Sequence, residues 1–388
     1  MSVTSARGFR AAGVAAGLKA SGNRDVAFVV NDGPAQVAAG VFTTNRFKAA
    51  PVEWSEQVLR QGSLRAVILN SGGANACTGS DGFADTHRTA ELAASILTEG
   101  GRETGAAEIA VCSTGLIGER LPMDRLEAGV RAAAGLLSAD GGADAAAAIM
   151  TTDTVPKTST RSVDGFSVGG MAKGAGMLAP ALATMLVIVT TDALITEATA
   201  NDSLRRATGH SFDRIDSDGC MSTNDTVLLL SSGASGVSPD PELFAAVLTD
   251  VCQDLARQLI ADAEGASKDI SIVVQDAASV DDALVVARAI ARSNLLKCAV
   301  HGEDPNWGRV LSAMGTTDAA FVPAQVDVAM NGVWICRGGS IGESRDLVSL
   351  SGREVEIRVS LKAGSSTATV LTNDLTAEYV HENSAYAT

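Results

Sequence analysis

The sequence predicts an α/β protein in which helical and strand layers are stacked on one another. Short runs rich in β-branched residues recur through the chain, "VAFVV" at 26–30 and "EVEIRVSL" at 354–361 among them. Longer segments carry apolar residues at helical spacing, as Leu243, Val247, Val251, Leu255 and Leu259 do. Strand and helix patterns come in blocks rather than in strict alternation, which favours stacked layers over a doubly wound sheet.

From the N-terminus, "VAFVV" (26–30), "RAVILN" (65–70) and "EIAVCST" (108–114) have the composition of strands. "DTHRTAELAASILTEG" (85–100) has helical periodicity, and the next helical stretch, 123–139, sets Leu126, Val130, Ala133 and Leu137 on one face. The four glycines within 169–176 read as a loop. Met185 through Val189 is continuously apolar, so a strand buried on both faces is expected there, with Thr184 as its first residue. Asp240 and Pro241 suit the N-cap and first position of a helix over 240–265. Another helix, over 279–302, opens acidic and closes basic, as the helix dipole favours. Strand patterns return at 325–330, 354–361 and 368–374, and no fixed-period repeat is visible.

With 388 residues, 46% of them hydrophobic, the chain can bury a sizeable core in two lobes or two domains. A net charge of −15 excludes nucleic acid and anionic membrane surfaces as partners, since both require clustered Lys and Arg. Cys77, Cys112, Cys220, Cys252, Cys298 and Cys336 are scattered, without metal-ligand spacing, so no metal site is expected. Reduced, mostly buried thiols in a cytoplasmic protein are the simplest reading. No run of about 18 apolar residues occurs, so neither a signal peptide nor a membrane span is expected.

"KGAGMLA" (173–179) holds a partial dinucleotide fingerprint, but a strand rather than a helix follows it, and a helix N-terminus is what binds pyrophosphate. Three polar stretches follow strand-like runs: "NSGGANACTG" (70–79), "STGLIGERLP" (113–122) and "MTTDTVPK" (150–157). Their hydroxyls and backbone N–H groups are the donors that acyl chemistry needs around a carbonyl and its oxyanion. His87, His210, His301 and His381 adjoin no nucleophile elbow, so an acyl-transfer enzyme here needs another base. A threonine supplies its own when it begins a chain, because its α-amine titrates at about 7.7–8.0. Thr184 by itself is an ordinary way to enter a sheet; it becomes a nucleophile only if the Ala183–Thr184 bond is cut.

"GGMAKGAGMLAPALATMLVIVTTDA" (169–193) resembles the cleavage region of the ornithine acetyltransferases, the glutamate N-acetyltransferases of the cyclic arginine pathway. "NSGGANACTG", "STGLIG", "AIMTTDTVPK", "STNDTVLLLSSG" (222–233), "DAEGASK" (262–268), "GEDPNWGR" (302–309) and "HENSAYAT" (381–388) resemble family blocks in the same order. The resemblance implies an αββα sandwich like that of N-terminal-nucleophile hydrolases, with its own topology. It implies a precursor that cuts itself between Ala183 and Thr184, leaving chains 1–183 and 184–388 that assemble as a heterotetramer. Thr184 would carry acetyl from N2-acetylornithine to L-glutamate, Thr114 and Gly115 would form the oxyanion hole, and Thr151, Lys173, Thr184, Glu264, Asn383 and Thr388 would contact substrate. No cofactor is implied; acetyl-CoA is left open as a second acetyl donor.

Lys173 suits the α-carboxylate that both substrates share. Glu264 suits the δ-ammonium of acetylornithine but should repel the γ-carboxylate of glutamate, unless it pairs with Lys173 or shifts its pKa. Trp307 and Arg309 are expected in a core and a buried ion pair. One departure stands out, since the family pattern has Asn where this chain has Gly73. Two rivals remain: an N-terminal-nucleophile amidase or aminopeptidase that uses water as acceptor, and a nucleotide-binding or assembly protein that would not cut itself.

Overall fold

The structure, a computed structural model, describes residues 2–178 and 185–385. Strands β1 (Phe9–Val14), β2 (Val26–Asn31) and β3 (Val37–Phe42) precede helix α1 (Ala50–Val58). Next, β4 (Ala66–Asn70) leads through α2 (Gly79–Glu99) to β5 (Ile109–Ser113). After α3 (Met123–Gly135) and α4 (Gly142–Ala148) come β6 (Lys157–Val163) and β7 (Phe166–Lys173). They form a hairpin through Asp164 and Gly165, both at positive φ, the pair that a tight two-residue turn selects. β8 (Leu186–Thr191) leads through α5 (Glu197–Gly209) to β9 (Thr226–Ser231), and α6 (Pro241–Ala261) follows. The remainder holds β10 (Asp269–Ala277), α7 (Val280–Ala291), α8 (Asn294–His301), α9 (Trp307–Met314), β11 (Asp327–Met330) and β12 (Val333–Arg337). It closes with β13 (Ser340–Ile341), β14 (Glu354–Ser360), β15 (Ser366–Asn373) and α10 (Ala377–Ala385).

Among the described residues the strands form three sheets, ordered β1-β2-β4-β5, β3-β9-β8-β7-β6 and β13-β12-β11-β14-β10-β15. The first two face each other. Side chains on a strand alternate between its faces, and β8 and β9 show where each face goes. Leu186, Ile188, Leu228 and Leu230 join Phe28, Val67 and Ile68 of the first sheet in one core. Val187, Val189, Val227 and Leu229 turn the other way, onto Leu204 of α5 and Val251 and Leu255 of α6. Trp54 of α1, Leu97 of α2 and Val130 of α3 cover the first sheet. The order is therefore helix, sheet, sheet, helix, the αββα arrangement. Each buried Leu, Ile or Val contributes about 1.5–3 kcal/mol relative to exposure, so the two-sided burial of β8 and β9 anchors the centre. Strands from both sides of the 183–184 bond share the second sheet: β8 and β9 lie between β3 and β7.

The third sheet has its own core, in which Ile270, Ile272 and Val274 of β10 meet Val286 and Ile290 of α7. The αββα expectation did not include it. Four other readings are corrected. Gly169 and Gly170 lie inside β7 rather than in a loop, Gly169 where an added Cβ would meet the Ser2 carbonyl oxygen at 2.3 Å. The stretch 279–302 is two helices, because the Ser293 hydroxyl accepts the Leu296 N–H and starts α8 anew. Cys112, Cys252 and Cys336 are buried, but Cys77, Cys220 and Cys298 are exposed, and all six are free thiols. Trp307 packs on the margin of the third core, while Arg309 is half-buried and donates to the Leu295 carbonyl, with no ion pair among the described residues.

Candidate active site

The ends of several strands meet at one end of the sandwich. β5 ends at Ser113, so Thr114 and Gly115 follow immediately; β7 ends at Lys173; Met185 enters β8; Ser222–Asp225 enters β9. Antiparallel pairing of β7 with β8, Lys173 opposite Leu186, and parallel pairing of β8 with β9 bring the last three ends together. Asn224 then joins the two sheets, its Nδ2 donating to the Ala74 carbonyl at 2.6 Å and the Ser113 carbonyl at 2.8 Å. The loops after β4 and β5 are bridged where the Gly73 N–H donates to the Thr114 carbonyl at 3.1 Å. Gly115 is required there: its φ is +130°, and a Cβ would meet the Gly73 nitrogen at 2.9 Å.

A cleft of about 570 Å³, open to solvent, lies between these ends. Thr114, Gly115, Thr151, Lys173, Glu264 and Asn383 all line it, from segments far apart in sequence. Ala183, Thr184 and Thr388 lie outside the described residues. Thr152, Met177, Ser222, Thr223 and Asn224 also line the cleft and were not singled out individually by sequence. The last three belong to the "STNDTVLLLSSG" block, so the block carried the signal while its residues did not.

Thr114 and Gly115 present different donors. The Thr114 N–H is taken by the Asn70 carbonyl at 3.0 Å, whereas no acceptor meets the Gly115 N–H among the described residues. Lys173 Nζ donates to Thr114 Oγ1 at 3.3 Å, which leaves the hydroxyl proton for another acceptor. One hydroxyl and one backbone N–H thus remain to serve an oxyanion.

Lys173 is a residue of β7, 2% exposed, and not a loop lysine. Burial lowers the pKa of its ammonium, opposed by Asp153. Beneath it, Lys157 Nζ contacts Asp153 Oδ1 at 2.6 Å and Asp262 Oδ2 at 2.5 Å. Asp153 also accepts the Thr151 and Gly174 N–H groups, at 2.9 and 2.7 Å, which ties the 151–154 loop to the end of β7. Burial pushes the Asp153 carboxyl up, but the Lys173 and Lys157 ammoniums hold it down at about 2. Asp225 contrasts with it: burial pushes its carboxyl well above the usual range, against the pull of the Met185 N–H and Lys173.

Glu264 does not pair with Lys173. Its Oε1 accepts the Thr152 hydroxyl at 2.7 Å and its Oε2 the Asn383 amide at 3.0 Å, so neutral donors hold it and its charge is not cancelled. Asn383 reaches it because α10 packs on Gly265, where a Cβ would meet the Tyr379 nitrogen at 2.2 Å. Among the described residues no cluster of His, Cys, Asp and Glu could hold a metal, and no helix is long and apolar enough to cross a membrane.

The family model described as the ArgJ family matches residues 10–388. The arginine biosynthesis bifunctional protein ArgJ of Streptomyces coelicolor is 65% identical over 387 residues, covering 100% of both chains. The protein of the same name from Thermobifida fusca is 62% identical, again over 100% of both. A crystal structure of ornithine acetyltransferase complexed with ornithine from Mycobacterium tuberculosis is 62% identical over 48% of this chain and 96% of that one, with a TM-score of 0.46. Matched along nearly its whole length by the family model and at full length by these relatives, the chain belongs to the ArgJ family.

Proposed function

We propose that the chain is an ornithine acetyltransferase, transferring acetyl from N2-acetylornithine to L-glutamate through an acetyl ester on Thr184. The observation that carries this is the convergence of Thr114, Gly115, Thr151, Lys173, Glu264 and Asn383 on one cleft at the entry to β8. Membership of a family whose relatives are named for arginine biosynthesis supports it.

Maturation comes first. Thr184 Oγ adds to the Ala183 carbonyl, the C–N bond breaks, and the nitrogen takes the hydroxyl proton, giving an ester that water opens. Segments 1–183 and 184–388 stay together because β8 and β9 lie between β3 and β7, and two such pairs form the heterotetramer. In turnover the freed α-amine takes the Oγ proton as Oγ attacks the acetyl carbonyl, and the amide C–N bond breaks as that proton passes to the leaving α-nitrogen of ornithine. The amine of glutamate then attacks the ester, its proton passes through the Thr184 α-amine to Oγ as the C–O bond to Thr184 breaks, and N-acetylglutamate leaves with the hydroxyl restored. The Thr114 hydroxyl and the Gly115 N–H hold the oxyanion in both halves.

Lys173 takes the α-carboxylate common to both substrates. Glu264 takes the δ-ammonium, while its neutral partners Thr152 and Asn383 offer donors to the glutamate γ-carboxylate, with Thr151 and Thr388 as the further substrate contacts that the family resemblance implies. The word bifunctional in the relatives' names supports a second activity, for which acetyl-CoA is the proposed donor; the free thiols suit a cytoplasmic enzyme. Intact mass of the purified protein tests the cut, and native mass tests the assembly. Acetylornithine turnover with and without glutamate separates transfer from hydrolysis: equal ornithine release in both would make the enzyme an amidase. Acetyl-enzyme formed from acetyl-CoA alone would establish the second donor.

A further inference from the structure

We infer that Asn224 is the positioning residue for the oxyanion loop: its side-chain amide fixes Thr114 and Gly115, on segment 1–183, in place against the entry of β8, on segment 184–388. The inference rests on Thr114 and Gly115 being the oxyanion donors.

Asn224 lines the cleft and is 4% exposed. Its amide can face only one way, because the Ala74 and Ser113 groups it meets are carbonyls, which accept and never donate. Both Nδ2 protons are spent on them, and Oδ1 accepts the Thr223 hydroxyl. No donor of that amide is left for a substrate, so Asn224 acts through what it holds.

What it holds is the start of the oxyanion loop. The Ser113–Thr114 peptide is gripped on both sides, its carbonyl by Asn224 at 2.8 Å and its N–H by the Asn70 carbonyl at 3.0 Å. One peptide further on, the Gly73 N–H donates to the Thr114 carbonyl at 3.1 Å. In a trans peptide the carbonyl and the N–H point opposite ways, so the Gly115 N–H is turned away from Gly73. The second Asn224 bond, to the Ala74 carbonyl, holds the residue after Gly73, and one amide therefore ties both sides of this bridge.

The backbone of Asn224 is fixed to β8. Its carbonyl accepts the Thr226 hydroxyl at 3.0 Å, and the Thr226 N–H donates to the Met185 carbonyl at 3.1 Å. Ala74 and Ser113 precede the 183–184 bond and Asn224 follows it, so once that bond is cut the clamp joins two separate chains. Oxyanion donors act by being in place before charge develops, and the clamp supplies that placement across the cut.

Asn224→Asp is the test, made alone and in a Thr114→Val chain, with Thr114→Val beside them. Asp keeps an oxygen for Thr223 but sets a second oxygen against the two carbonyls, so the clamp opens at nearly unchanged volume. In a variant that melts cooperatively and is cut, kcat should fall at least ~10-fold while KM for acetylornithine stays within about twofold. The double variant should lose several-fold less than the product of the two single losses, because both substitutions act on the same donor. A smaller fall in kcat, a loss carried by KM, or losses that multiply would each overturn the inference. Where Thr114→Val is itself uncut, the split between kcat and KM decides. A folded Asn224→Asp that stays uncut supports the inference if Thr114→Val is uncut as well, since cutting passes through the same oxyanion, and overturns it if Thr114→Val is cut normally. Should the Asp variant not melt cooperatively, Asn224→Ser is judged by the same outcomes, and loss of folding in both would make Asn224 an anchor of the fold and end the inference. Thr114→Val with kcat near wild type would instead sink the oxyanion reading, whatever Asn224→Asp does.

Discussion

Two groups of buried charges flank the cleft, and they are built to different standards. Around Lys157 the charges are met: its ammonium touches Asp153 and Asp262, and those carboxylates take the N–H groups of Thr151, Gly174 and Thr154 as well. Lys173 is buried almost as deeply, yet its ammonium has one hydrogen bond among the described residues, to the Thr114 hydroxyl. Asp225 takes the Met185 N–H on Oδ1, while its buried Oδ2 meets no donor at full hydrogen-bond geometry among the described residues, although the Ser222 hydroxyl also draws on the carboxyl. A satisfied network holds a loop in place, whereas an unsatisfied one has capacity left for a ligand or a reacting group. The first should therefore fail by unfolding and the second by losing chemistry.

The sharpest separation comes from Thr184→Ala. Removing the hydroxyl should leave a single chain of about 39.4 kDa that folds and melts like wild type but shows no acetyl transfer. Two fragments from this variant, or residual turnover, would break the comparison at its reactive end. On the structural side, Lys157→Met removes one cation from between two carboxylates and should lower stability by about 3–5 kcal/mol, measured by denaturant unfolding. Acid should probe the same network. The Asp153 carboxyl is held at about 2 against an ordinary 3.8, so its contribution is complete above pH ~4 and is lost as pH falls through about 2. Lys157→Met should flatten the stability profile in that window.

Thr114→Val tests the boundary between the two behaviours. Its hydroxyl accepts a hydrogen bond from the Lys173 ammonium and offers its own proton to the oxyanion, so kcat should fall by roughly 10²–10³ with the fold intact. Processing must be checked by mass first, because the same hydroxyl serves self-cleavage. Deleting 383–388 should matter less. Asn383 sits on the exposed helix α10 and supplies one of two side-chain donors to Glu264 among the described residues, so KM should rise about tenfold with cleavage unchanged. Unchanged kcat/KM would remove Asn383 and Thr388 from the site.

The two groups also differ in how far the sequence disclosed them. β2, β4, β5 and β14 were legible because β-branched runs carry their own signal, and α6 because Asp240 caps it and its apolar stripe persists. β7 was hidden by Gly169 and Gly170: a Cβ on the first would meet the Ser2 carbonyl, far away in sequence, and one on the second the side chains of Leu255 and Val251 on α6. Thr114, Lys173, Glu264 and Asn383 came through resemblance of blocks. Asp225 and the Lys157 network did not, since nothing in "STNDTV" or "TTDTVPK" tells that one Asp is fully bonded and the other is not. That distinction depends on partners 40 and 105 residues away, Met185 and Asp262, which only folding brings near.

The smallest effect is expected where the chain departs from the family pattern. Gly73 and Gly115 face each other across the bridge to Thr114, both beside the oxyanion loop. They are not equivalent. A Cβ on Gly115 would strike the Gly73 backbone nitrogen and Cα at 2.9 and 3.0 Å, at a φ that side chains rarely adopt. A Cβ on Gly73 would meet the terminal methyl of Leu121 at 3.0 Å, the far end of a flexible side chain, and Gly73 has no positive φ. That direction leads toward Leu121, which is not among the residues lining the cleft, so a Cβ at 73 starts away from it. Gly73→Ala also restricts the unfolded chain, which offsets the displacement of Leu121 and leaves stability within about 1 kcal/mol. Its kcat should stay within about twofold of wild type, while Gly115→Ala should lose activity much as Thr114→Val does. Equal damage from the two alanines would mean that the loop as a whole, and not the Gly115 N–H, is what the chemistry needs.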